Sequence, residues 1–79
     1  MRIHFYGRLA EQLGRSIELD VEGDCSVAEL RDRLAADHPH SAEALARRVR
    51  ACVGDTIVAD SHVVRPGETV EFLPPVSGG

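Results

Sequence analysis

Between residues 16 and 37 the apolar side chains change period, and that change constrains the fold more than any other feature of the sequence. From 16 to 21, Ile17, Leu19 and Val21 alternate with Ser16, Glu18 and Asp20, the period of two of a half-buried strand. From 26 to 37 the apolar positions are Val27, Leu30 and Leu34, spaced three and four apart on one helical stripe. Ser26 and Glu29 form a capping box, which satisfies free N–H groups at the helix start, and Pro39 closes the segment. Ahead of this pair, 1–6 reads as a strand with Ile3 and Phe5 on one face and His4 and Tyr6 on the other. Residues 7–13 form a short turn or helix ended by Gly14. The two strands are near enough in sequence to pair antiparallel.

After Pro39 the pattern predicts a second, shorter helix over 41–49. Ser41 caps it and Ala42, Leu45 and Val49 supply its apolar stripe. Arg47, Arg48 and Arg50 fall mostly off that stripe, as a solvated face or a patch for a partner. Residues 51–53 and 56–59 are short strands around a Gly54-Asp55 turn, Pro66-Gly67 is a further turn, and 69–73 is the last strand. Strands grouped before and after the helices imply an α+β fold rather than a parallel βαβ series. The β-grasp arrangement, with the first strand beside the last and the main helix across the sheet, is one of several that the pattern allows.

A chain of 79 residues is one domain with one modest core. At this size only about 60% of the unfolded surface is buried, which leaves little apolar area for a deep pocket. The net charge of −4 gives no electrostatic footprint for nucleic acid. No apolar run approaches a membrane span, and 1–5 lack the stretch of a signal peptide, so a cytoplasmic location is expected. Cys25 and Cys52 match no metal or redox spacing and read as reduced thiols. His38-Pro39-His40 has no third ligand nearby, and His4 and His62 read as surface residues. No phosphate loop, paired-acid site or triad is present, so no side chain is expected to act as a catalyst. All nine basic residues are arginine. The absence of lysine reads as genomic drift, or as protection of an activated C-terminus from attack by an amine.

The ending is distinctive. Pro74-Pro75 stiffens the chain and projects it outward, and Val76-Ser77-Gly78-Gly79 is small and pliable. Residues 75–79 span roughly 16–18 Å when extended, enough to carry the Gly79 carboxylate into another protein's active site. Gly-Gly alone fits a frayed terminus better. Strand parity adds a second clue. With Ile3, Phe5, Val70 and Phe72 facing the core, Tyr6 and Leu73 face outward, and they would lie side by side if the first and last strands were parallel neighbours. Apolar side chains at the root of such a tail suggest a docking surface, or simply an edge of the core.

These segments together resemble the small subunit of molybdopterin synthase over nearly the whole chain. The resemblance rests on Phe5-Tyr6-Gly7-Arg8-Leu9 with Leu13-Gly14, on Ser26-Val27-Ala28-Glu29-Leu30, and on Pro66-Gly67-Glu68-Thr69-Val70-Glu71-Phe72. The ending Leu73-Pro74-Pro75-Val76-Ser77-Gly78-Gly79 is its most specific part. The family often has Asn-Gly in the turn after the third strand, where this chain has Val53-Gly54. The resemblance implies a ubiquitin-like β-grasp domain over 1–74, with a mixed sheet, one main helix and a second short one, and a flexible Gly-Gly tail over 75–79. It implies a sulfur carrier for molybdenum cofactor biosynthesis, the sulfur-donating subunit of a heterotetramer with no bound cofactor of its own. A ubiquitin-activating-like adenylyltransferase would use ATP to adenylate Gly79. A persulfide donor would convert it to a thiocarboxylate, and the charged tail would deliver sulfur to cyclic pyranopterin monophosphate in the large subunit of molybdopterin synthase. Pro74, Pro75, Val76, Ser77 and Gly78 would form the tail, and Tyr6, Ile57 and Leu73 the docking surface. Two further readings stand beside this one: a carrier for thiazole or cysteine biosynthesis, and a protein modifier conjugated through Gly79. A plain interaction domain with an inert tail is a third.

Overall fold

The structure is a computed structural model that describes residues 1–41, 45 and 49–74. Its main helix, α2 (Val27–Asp37), starts where its chemistry dictates. The Ser26 hydroxyl accepts from the Glu29 N–H at 3.1 Å, and the Glu29 carboxylate accepts from the Ser26 N–H at 3.1 Å. The first two helical N–H groups, of Val27 and Ala28, donate to the carbonyls of His62 and Asp60, each at 3.0 Å. The start of the helix therefore leaves no donor without an acceptor in its first turn. Replacing Ser26 with alanine is expected to lower stability by about 1 kcal/mol, read as a lower denaturant midpoint at unchanged m.

Five strands form the principal sheet: β1 (Arg2–Phe5), β2 (Ser16–Glu18), β4 (Arg50–Val53), β5 (Thr56–Val58) and β7 (Thr69–Leu73), in the order β2-β1-β7-β4-β5. β1 runs parallel to β7, with Ile3 opposite Val70 and Phe5 opposite Phe72, and the other pairings are antiparallel. First strand beside last, with α2 packed on one face, is the β-grasp arrangement. The core lies between sheet and helix. Val27, Leu30 and Leu34 meet Ile3, Phe5, Ala51, Val70 and Phe72, all buried, and the Phe5 and Phe72 rings stack with centroids 6.0 Å apart. α1 (Arg8–Leu13) covers one end and buries Leu9. A two-stranded ribbon, β3 (Cys25–Ser26) with β6 (Val63–Val64), adds the buried Val64 to the core.

Arg31 ties these parts together. From α2 its guanidinium donates to Asp60 Oδ1 at 2.9 Å, to the carbonyl of Leu45 at 3.1 Å and to that of Val49, with its carbon 5.3 Å from the centre of the Phe72 ring. One side chain thus joins helix, sheet and the β5–β6 loop to the segment entering β4.

The second strand is shorter than the alternation predicts, ending at Glu18 rather than 21. Its ladder closes on Met1, whose nitrogen donates to the Leu19 carbonyl at 2.9 Å while Leu19 N–H donates to the Met1 carbonyl at 2.8 Å. Leu19 stays buried even so. After Pro39 the chain makes a single 3-10 turn, Pro39–Ser41. Leu45 and Val49 are buried as the stripe requires, but most of the helix expected over 41–49 lies outside the described residues. The turn with Val53-Gly54 in place of Asn-Gly is a two-residue hairpin loop: Val53 pairs with Thr56, and Gly54 and Asp55 both have positive φ, 56° and 66°. Those are the angles of the hairpin-favouring type I′ turn, and aspartate is among the few side chains that tolerate them.

Candidate functional site

Both helices pack on one face of the sheet, so the residues of opposite parity form an open face. The strand registers set Ser16, His4, Glu71, Cys52 and Ile57 in one row across all five strands. The next row toward the carboxyl ends of β1 and β7 holds Tyr6, Leu73 and Arg50, because pairing of Phe5 with Phe72 carries Tyr6 to the level of Leu73. Tyr6 and Ile57 are 42% and 56% exposed, the largest open apolar surfaces on this face, and Leu73 is half-buried. The parity argument thus agrees with the structure for Tyr6 and Leu73. Ile57 stands two strands over and one row back from Leu73, about 12 Å away at ordinary strand spacing and rise. Cys52 lies between Ile57 and Glu71, almost hidden at 8% exposure.

Tyr6 is fixed by a contact that the sequence did not announce. Its hydroxyl donates to Glu71 Oε2 at 2.6 Å, between residues 65 positions apart. Accepting that bond, the carboxylate holds the phenol in its protonated form, with some desolvation and the negative charge of Glu71 acting the same way, so the Tyr6 hydroxyl titrates above its ordinary value. A raised folded value means the bond contributes fully below the unfolded tyrosine value, about 10, and is lost as pH rises through the folded one. Tyr6 is the only tyrosine and there is no tryptophan, so near-ultraviolet absorbance follows this group alone. The phenolate is expected to form above the pH at which a free tyrosine ionises, and to form at lower pH in Glu71→Gln.

Where Tyr6 meets Leu73, the tail begins. Gly7 follows Tyr6 with φ 62° and ψ −136°, a conformation that side-chain-bearing residues rarely adopt, and a Cβ there would stand 3.1 Å from Cγ of Pro74. The Pro74 ring therefore lies against bare glycine backbone, which sets the direction in which the chain leaves β7. Gly7→Ala is expected to destabilise the domain by about 1–3 kcal/mol through backbone strain, measurable as a fall in melting temperature. Gly79, with Pro75, Val76, Ser77 and Gly78, lies outside the described residues.

Elsewhere the chemistry is sparse. Among the described residues no group of three histidine, cysteine or acidic side chains could hold a metal ion. Cys25 is half-buried, and burial pushes its thiol up, with Glu29 adding to the effect. No helix among the described residues is long and apolar enough to cross a membrane. What the geometry offers is an open face with Tyr6, pinned by Glu71, beside Leu73 where the chain leaves β7, and with Ile57 exposed two strands away.

Comparison with known proteins agrees with this architecture. No curated protein matches the sequence significantly. Among solved structures, SAMP1 from Haloferax volcanii is 27% identical and superposes with a TM-score of 0.81, covering 99% of this chain and 97% of that one. The small archaeal modifier protein 1 of H. volcanii matches at 24% identity and a TM-score of 0.82 over 95% of each chain. A Pyrococcus furiosus protein provisionally named molybdopterin converting factor, subunit 1, matches at 22% identity and a TM-score of 0.72 over 95% of each. At those last two identities the likeness is one of fold. The family model designated ThiS matches residues 3–79, which includes both the sheet and the Gly-Gly ending, and so the chain belongs to the ThiS family and shares its fold with ubiquitin-like β-grasp proteins.

Proposed function

We propose that this protein carries sulfur on the carboxyl group of Gly79 and delivers it to the large subunit of molybdopterin synthase. The observation that carries the reading is the joining of an exposed apolar face, Tyr6 with Leu73 and Ile57, to the root of a Gly-Gly-ended tail in a ThiS-family chain. A carboxylate is a poor electrophile because oxide would have to leave. An ATP-dependent adenylyltransferase converts the carboxylate to an acyl-adenylate, releasing pyrophosphate. A donor's persulfide then displaces AMP to give an acyl disulfide. A thiol cleaves that S–S bond, leaving the thiocarboxylate on Gly79 and the thiol's sulfur in a disulfide with the donor. The charged tail enters the large subunit and transfers sulfur to cyclic pyranopterin monophosphate. A dithiolene takes two sulfurs, so two charged carriers are used for each product. The catalytic side chains belong to the partners. This chain contributes the acyl group and the face that aligns it.

Coexpression with the large subunit of molybdopterin synthase, and separately with partners from thiazole or cysteine biosynthesis, tests the pathway. A stable complex with the first alone is expected. Within that complex, Ile57→Glu puts a charge in the centre of an apolar contact and is expected to weaken binding by about 2 kcal/mol or more, measured by calorimetric titration. A stable complex with another pathway's partner instead would reassign the cargo. The second reading, a protein modifier joined through Gly79, is favoured by the likeness to SAMP1. It predicts a ladder of high-mass conjugates in cell lysates.

A further inference from the structure

Strand order leaves β5 at one edge of the sheet, and hydrogen-bond alternation decides what that edge shows to solvent. Thr56 and Val53 close the two-residue hairpin loop as a hydrogen-bonded pair, and pairs alternate in kind along an antiparallel ladder. Cys52 with Ile57 is then the pair of the other kind. The N–H and C=O of Ile57 therefore point away from β4, and among the described residues no backbone group meets them. The Ile57 side chain beside them is 56% exposed. The opposite edge differs. β2 sets Ser16 and Glu18 on the open face, and Glu18 accepts from Arg2 Nε at 3.0 Å. Charged side chains blunt an edge, whereas an exposed apolar residue with outward backbone groups is a template for a further strand.

Two charges identify that strand. Asp55, exposed in the turn, precedes Ile57 by two positions. Arg50, exposed on β4, stands level with Ala59, two positions after Ile57, because Ala51 pairs with Val58. Neither charge has a hydrogen-bond or ion-pair partner among the described residues. A two-fold axis beside Ile57 sets two copies of β5 antiparallel, with Ile57 opposite Ile57, Thr56 opposite Val58 and Asp55 opposite Ala59. Each Ile57 N–H then donates to the Ile57 carbonyl of the second copy, and the two side chains meet on one face. Ala59 is small, so Arg50 faces Asp55 of the second copy across it. Their α-carbons stand about 10 Å apart at ordinary strand spacing, within the combined reach of the two side chains. Symmetry makes this contact twice.

We propose that two copies of this chain pair edge to edge through β5, antiparallel about Ile57, joining two five-stranded sheets into one. The contact is small and the net charge of −4 on each copy opposes it, so the dimer is weak. Its dissociation constant is expected at roughly 0.1–1 mM, in keeping with an area below that of stable complexes. Pairing covers Ile57, so the dimer and a complex formed through the open face exclude one another. That consequence rests on the docking role given to Ile57; the pairing itself does not.

The test is sedimentation velocity of the full chain from about 0.02 to 2 mM, a range that brackets the expected constant. The sedimentation coefficient is expected to rise from monomer toward dimer, and the Ile57 amide resonance to shift over the same range. Arg50→Asp and Asp55→Lys each set like charges together at both contacts, and each alone should weaken association about tenfold or more. An equimolar mixture of the two variants carries opposite charges at both contacts, and association should return as a heterodimer. Thermal melting checks that each variant is folded. Asp55→Asn suits the positive φ of the turn and carries the test if Asp55→Lys does not fold, with a weakening of about threefold expected. A chain that stays monomeric throughout would overturn the proposal and leave this edge to a strand of another protein. A dimer indifferent to these substitutions would overturn it as well. No sulfur-loading partner takes part, so failure of the carrier reading leaves this result intact.

Discussion

Deleting Gly78 and Gly79 is expected to abolish sulfur loading while leaving the melting temperature of the domain unchanged. The shortened chain still ends in a carboxylate, on Ser77, but that group falls about 7 Å short of where a full-length tail would present it. It also loses the two terminal residues without a Cβ, which in the proposed function would thread into a partner's active site. The stability half of the expectation follows from the core, whose buried members among the described residues run from Ile3 to Phe72 and already fill the space between sheet and helix. Loading is read by intact mass and folding by thermal melting. Retained molybdoenzyme activity in cells carrying the deletion would refute the carrier role.

The largest effect on stability is expected at Arg31. Its side chain is only 11% exposed and supplies charged donors to the carbonyls of Leu45 and Val49 as well as to Asp60. Arg31→Ala removes those donors together and strands buried acceptors, for which a cost of about 2–4 kcal/mol is expected in urea unfolding, a sizeable share of a small domain's stability. Lysine has a point charge rather than a planar fork, so Arg31→Lys should recover less than half of that loss. The Asp60 carboxylate is 49% exposed, and its ion pair alone should contribute less than about 1 kcal/mol, so Asp60→Asn separates the salt bridge from the carbonyl contacts.

Local patterns carried much of this fold. The helix from 27 to 37 is legible because both its cap and its stripe are contiguous in sequence, and the strand over 69–73 because its alternation is clean. Parity in two strands was enough to set Tyr6 beside Leu73 once parallel pairing was assumed. What local pattern could not reveal is contact between distant residues. The Arg31 bracket, the Tyr6 bond to Glu71 and the Pro74 ring on Gly7 each join segments that only the tertiary fold brings together. The β3–β6 ribbon is two residues a side, too short for any periodicity. Ile57 entered through resemblance rather than pattern, since a lone exposed isoleucine in a short edge strand carries no signal of its own. The Gly-Gly ending stands out by composition and lies outside the described residues, and its role is a question of chemistry rather than of packing.

The most direct measurement of the central claim is intact mass of the chain after incubation with ATP, a ubiquitin-activating-like adenylyltransferase, a persulfide sulfur donor and a thiol reductant. The account predicts a gain equal to exchanging one oxygen for one sulfur, confined by fragmentation to Gly79 and absent without ATP. An unchanged mass with a competent enzyme and donor, or sulfur found on Cys25 or Cys52 instead, would contradict it.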